Sequence, residues 1–128
     1  MRQDLTDRYR TTDIGVVKIN NNAITAIASI AAMEVKGVHR IGGGASKTLY
    51  ELFTKKGGTK GVKIYSTENE LKLTICITVE YGVDMPRIAD EVQENVKQAV
   101  EKMTGLVLSG VDVVVEGVRS PYTAGEKI

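Results

Sequence analysis

Two glycine-rich stretches, one histidine, one cysteine and a row of helix carboxylates are the residues here whose type and spacing could carry chemistry. The run Gly42-Gly43-Gly44-Ala45-Ser46-Lys47-Thr48 approaches a phosphate loop, in which backbone amides wrap an anion and a lysine reaches it. That loop requires G-x-x-x-x-G-K-[ST]. Ile41 stands where the first glycine belongs and Ser46 where the second does, so nucleotide hydrolysis is not expected. Gly43, Gly44 and Ser46 remain candidates for a looser anion site, because free amides at a helix start attract negative charge. Gly58-Thr59-Lys60-Gly61 has the GXXG form that clamps a nucleic-acid backbone in KH domains. There it joins two helices, whereas here it leads from a helical pattern into a strand. Together with Lys55, Lys56 and Lys60 it makes a basic patch, the alternative site for a nucleic acid.

His39 is the only histidine and has no identifiable nucleophile or carboxylate partner in the sequence, which a catalytic imidazole needs. Cys76 is the only cysteine, so no intramolecular disulfide can form and no zinc-ligand spacing exists. Glu91, Glu94 and Glu101 are interspersed with Lys97 and Lys102, the composition of a solvated helix face rather than of an acid/base pair. The expectation is a protein without catalytic residues, metal or cofactor.

The charges are segregated. Residues 36–65 hold seven basic groups against one acid, Glu51, and residues 66–104 hold eight acids against four bases, within a net charge of +1. Such asymmetry can steer a partner. No stretch approaches the roughly 18–20 apolar residues of a membrane span. The polar start, Met1 to Asp13, lacks a secretory h-region. Direct membrane insertion is therefore not expected, and the cytoplasm is.

The elements that must position these residues follow from period and punctuation. The 128 residues suit one domain. Residues 1–13 read as a flexible arm, 14–118 as the domain and 119–128 as a disordered tail. Ile14–Ile19 reads as a strand, and the asparagines Asn20–Asn22 as N-caps of an Ala/Ile-rich helix over Ala23–Val35. That helix is apolar nearly all round, so it lies deep in the domain or lends a face to a partner. Gly37 is expected to end it as a C′ residue, before a short strand at Val38–Ile41. Ser46 to Lys55 reads as a short helix with Leu49, Leu52 and Phe53 inward.

Val62–Ser66 and Leu71–Tyr81 then form a hairpin. Leu71, Leu73, Ile75, Ile77, Val79 and Tyr81 point one way, and Lys72, Thr74, Cys76, Thr78 and Glu80 the other, so one sheet face is covered and one open. Asp84 caps a second long helix with Pro86 in its first turn. Ala89, Val92, Val96, Ala99, Val100 and Met103 form its apolar face. Leu106–Val118 is the last strand, with Val111, Val113 and Val115 inward and Asp112 and Glu116 outward. The predicted fold is an α/β (α+β) two-layer sandwich: a mixed sheet with both long helices on one face, in β-α-β-(α)-β-β-α-β order.

The string Val79-Glu80-Tyr81-Gly82, Pro86, Val92-Gln93, Ala99 through Leu106, Val111-Asp112-Val113 and Gly117-Val118 resembles the alkaline shock protein family, the envelope stress response proteins of Gram-positive bacteria. Gly15–Ile19 and Glu34-Val35-Lys36-Gly37-Val38 agree, apart from Lys36, where the family usually has proline. The resemblance implies non-enzymatic cytoplasmic proteins serving envelope homeostasis, some of them held at the membrane by a separate membrane-anchoring protein. A protein partner is expected rather than nucleic acid, and the Ala/Ile helix and the open sheet face make self-association expected too. The open sheet face supplies the candidate contact residues: Lys72, Thr74, Thr78 and Glu80.

Overall fold

The computed structural model describes residues 7–42 and 61–122. In chain order it contains β1 (Asp7–Thr12), β2 (Gly15–Asn20), α1 (Asn21–Met33), β3 (Val38–Ile41), β4 (Val62–Ser66), β5 (Leu71–Glu80), α2 (Met85–Thr104) and β6 (Gly110–Arg119). The expected short helix over Ser46–Lys55 falls outside the described residues, as do Gly43, Gly44, Ser46, Lys55, Lys56 and Lys60.

β5 organises the main sheet, because every other strand in it bonds to β5. Its two-residue alternation buries Leu71, Leu73, Ile75, Ile77 and Val79 beneath both helices. β6 runs parallel along one edge of β5, delivered there by the α2 crossover. β3 and β4 both pair antiparallel with the opposite edge, β3 beside Ile77–Val79 and β4 beside Leu71–Ile75. They lie end to end, as two halves of one edge strand.

α1 starts where Asn20 caps it, its Oδ1 accepting from the Asn22 amide at 2.8 Å. Ile24, Ala28, Ala31 and Ala32 are buried, and α2 adds Ile88, Val92, Val96 and Val100. The small alanines let the two helices approach closely over the sheet. Full burial of each valine or isoleucine among these is worth about 1.5–3 kcal/mol. The expected N-cap of α2 is present, with Asp84 Oδ1 accepting from the Arg87 amide at 3.3 Å. Gly105 closes α2 in the left-handed region at φ +76°.

Several details differ from the sequence expectation. α1 is capped at Glu34, so Gly37 is not its C′ residue. Gly37 instead turns the chain at φ +105°, where a Cβ would stand 2.7 Å from Ile88 Cδ1. Met103 is exposed and Ile88 takes its place in the core, because the buried stripe of α2 runs 88-92-96-100. Tyr81 lies past the end of β5 and is 72% exposed. β6 begins at Gly110 rather than at Leu106.

The largest difference is at the start. β2 does not join the main sheet but pairs antiparallel with β1, within the expected arm, from Asp7↔Asn20 to Thr12↔Gly15. Thr12 braces the turn, its Oγ1 donating to the Gly15 carbonyl at 3.0 Å and accepting from the Ile14 amide at 3.2 Å. The hairpin meets the core at its base, through Ile19.

Candidate interaction surface

With both helices on one face of β5, no described element covers the other face. Lys72, Thr74, Cys76, Thr78 and Glu80 point into it from the middle strand, as alternation requires. Tyr65 opposes Lys72 and Lys63 opposes Thr74 on one side. Asp112 opposes Thr74 and Val114 opposes Cys76 on the other. A bulge between Val38 and Arg40 interrupts β3, so that His39 and Arg40 are both half-exposed beside Thr78 and Glu80.

Charged groups on this face are set against one another. Lys72 Nζ lies 3.6 Å from Asp112 Oδ2 and 6.0 Å from the centre of the Tyr65 ring. Glu80 joins two strands, with Oε1 accepting from Arg119 at 3.3 Å and Oε2 lying 3.6 Å from His39 Nδ1. Exposed pairs of this kind add about 0–1 kcal/mol each to stability. Their larger effect is to hold side chains in fixed places on a rigid sheet.

The four residues picked from the sequence differ in availability. Lys72, Thr74 and Glu80 are half-buried and accessible from the open side. Thr78 is 7% exposed, and its Oγ1 donates to the Gly42 carbonyl at 2.7 Å. It ties β5 to the end of β3 and offers little to a partner. Tyr65, Val114 and Arg119 complete the surface and were not singled out from the sequence, and His39, for which the sequence offers no carboxylate partner, lies against Glu80. Two-residue periodicity could have found Val114, which lies between Asp112 and Glu116.

Cys76 sits at the centre of the face. Burial pushes its thiol above the ordinary range, and the adjacent Glu116 carboxylate adds to this while Lys63 opposes it. A thiol held protonated is a weak nucleophile. Among the described residues no group of three or more His, Cys, Asp or Glu side chains could hold a metal ion, and no helix is long and apolar enough to cross a membrane.

Residues 9–120 match the alkaline shock protein 23 family, which carries the description "cell envelope-related function". The chain belongs to this family. Alkaline shock protein relatives include the uncharacterized protein YqhY of Bacillus subtilis (strain 168), 32% identical over 118 residues covering 92% of this chain and 87% of that one. Another is YloU of the same organism, 32% identical over 113 residues, 84% of this chain and 92% of that one. The uncharacterized protein Spy1535 of Streptococcus pyogenes is 31% identical over 114 residues, 88% and 86% of the two chains. None of these relatives carries an enzymatic name. Among solved structures, MamM CTD variants superpose with a TM-score of 0.46 at 17% identity, over 74% of this chain and 92% of theirs. The family shown is the one that the Met103-Thr104-Gly105-Leu106 string and its flanking strands resemble.

Proposed function

We propose that this alkaline shock protein is a non-catalytic scaffold of the cell envelope, acting by occupancy through the open face of β5. The observation that carries the reading is the mixed-charge array on that face. Lys72, Asp112, Glu80, Arg119 and His39 hold one another in register around the apolar Tyr65 and Val114. Complementary charge on a partner would set orientation and rate of encounter, while the apolar side chains supply contact area. A membrane-anchoring protein is the partner class that the envelope role favours.

Both charge signs on this face also argue against a nucleic acid, whose backbone calls for an unbroken basic track. The alternative, nucleic-acid binding through the basic segment 36–65, rests mainly on lysines outside the described residues. The test is crosslinked co-purification from the protein's own cells across a salt series, comparing the native chain with a Lys72→Glu, Glu80→Lys variant. The expected result is a protein partner retained at high salt by the native chain and lost by the variant. Nuclease-sensitive material released at moderate salt, equally from both, would sink the open-face reading.

A further inference from the structure

The β1–β2 hairpin carries apolar surface that the other described elements do not cover. In the ladders of the described residues each of its strands pairs with the other strand alone. A lone two-stranded hairpin is marginal in water. Val16 and Val17 point to opposite faces and both are exposed, as is Tyr9, and Ile14 at the turn is 97% exposed. Apolar side chains on both faces and at the tip are not the composition of a solvated arm.

β6 presents a complementary defect. It is the outer strand of the main sheet, ten residues long, bonded to β5 along one side. Its other side is closed at one point, where Gln93 Nε2 donates to the Val111 carbonyl at 2.8 Å. Natural edges are blunted by proline, by charged side chains, by bulges or by brevity. Gly110–Arg119 contains no proline and no lysine and exposes Val114 and Val118, and its ladder with β5 shifts register at Glu116, between Val115 and Gly117.

The charges match as well. Arg10 stands directly across from Val17 on one hairpin face. Glu116 lies two residues from Val114, toward the open side of β6. Neither Arg10 nor Glu116 has an ion-pair partner among the described residues, whereas Asp112 and Arg119 are taken by Lys72 and Glu80. One surface offers a cation beside a valine, and the other an anion beside a valine, neither in an ion pair, although Glu116 also meets the Cys76 thiol.

We infer that the hairpin of one copy adds to the free edge of β6 in a second copy, with Arg10 facing Glu116. This is strand addition, in which backbone hydrogen bonds supply affinity and side chains set register. It rests on the reading that the protein acts by association, but it uses the hairpin and the outer edge of β6, which borders the open face through Val114 and Glu116, rather than Lys72 and Glu80 on β5. Because hairpin and edge are different surfaces, the contact is heterologous. It grows into chains unless two copies exchange hairpins or a ring closes.

The test is sedimentation velocity over a concentration series on the full chain, with Arg10→Glu, Glu116→Arg and the double variant, each checked by circular dichroism. Each single reversal sets like charges opposite and should weaken self-association by about tenfold. The double variant restores the opposite pair and should return close to the native affinity. Single variants that associate as the native chain does, or a double variant no better than the singles, would overturn the hairpin–β6 contact. Either result would leave the open-face reading intact, since the Lys72→Glu, Glu80→Lys variant tests that separately. A native chain that stays monomeric throughout would overturn the contact together with self-association.

Discussion

Gly42 and Gly61 divide between them the single ladder position opposite Cys76. The Gly42 amide donates to the Cys76 carbonyl at 2.6 Å, and the Cys76 amide donates to the Gly61 carbonyl at 2.8 Å. In an uninterrupted antiparallel pair one residue makes both bonds. The register confirms the sharing, with Ile41 opposite Ile77 and Val62 opposite Ile75. A Cβ on Gly61 would stand 2.6 Å from the Gly42 nitrogen, so the junction closes only because glycine is there.

It follows that joining Gly42 directly to Val62 keeps the registers of β3 and β4 against β5. A direct join also removes the entropy cost of bringing the two strand ends together. The fused chain forgoes the Thr78 to Gly42 hydrogen bond, worth about 1 kcal/mol. Urea unfolding should therefore give one cooperative transition with a midpoint at or above that of the full chain. A fused chain without a cooperative transition would show that β3 and β4 are not one strand.

Gly37→Ala should be destabilising by about 1–3 kcal/mol, since the new methyl meets Ile88 Cδ1 at 2.7 Å and φ is +105°. A second change, Ile88→Val, removes the clashing carbon. Thermal melts of the double variant should recover part of the loss. Failure to recover any would assign the whole cost to the backbone angle.

Asn95 on α2 ties off the end of α1. Its Nδ2 donates to the Ala31 carbonyl at 2.7 Å and to Glu34 Oε1 at 3.3 Å. Asn95→Leu keeps the volume and leaves that carbonyl without its side-chain donor, at a cost of about 1–3 kcal/mol. Hydrogen exchange should quicken in the last turn of α1 more than in the first. Uniform change along the helix would indicate loss of packing instead.

The Glu101 carboxyl lies below the ordinary glutamate range, chiefly because Lys97 donates to it and secondarily because the Leu108 amide does. A lowered folded value means stability that is present above the unfolded value and lost as pH falls through the folded one. Glu101→Gln should thus narrow the difference in urea midpoint between neutrality and about pH 3. An unchanged difference would mean that Glu101 titrates as it does in the unfolded chain.

The central strand was readable because Leu71–Glu80 alternates without a fault and one face is wet, so period and burial coincide. α2 was readable for the same reason, together with Asp84 and Gly105 at its ends. The β1 strand was not. Asp7–Thr12 has no alternating apolar signal, and Asp13-Ile14 is not one of the Asn-Gly or Asp-Gly turns that mark a hairpin. The collinearity of β3 and β4 was hidden because the ladder, not the sequence, records it. On the open face, charge and alternation revealed Lys72, Thr74 and Glu80. Thr78 looked equivalent by period, and only the Gly42 carbonyl beside it distinguishes it.

The dependence of the main sheet on β5 also sets a clock for biosynthesis. β3 and α1 leave the ribosome before the strand that completes their layer exists. At about 5–20 residues per second, Ile41 precedes Ile77 by roughly 2–7 s. For that interval the apolar side of α1 and the first half of the edge strand have no sheet to cover them. During synthesis that apolar surface is thus exposed over a defined window, which closes when β5 emerges.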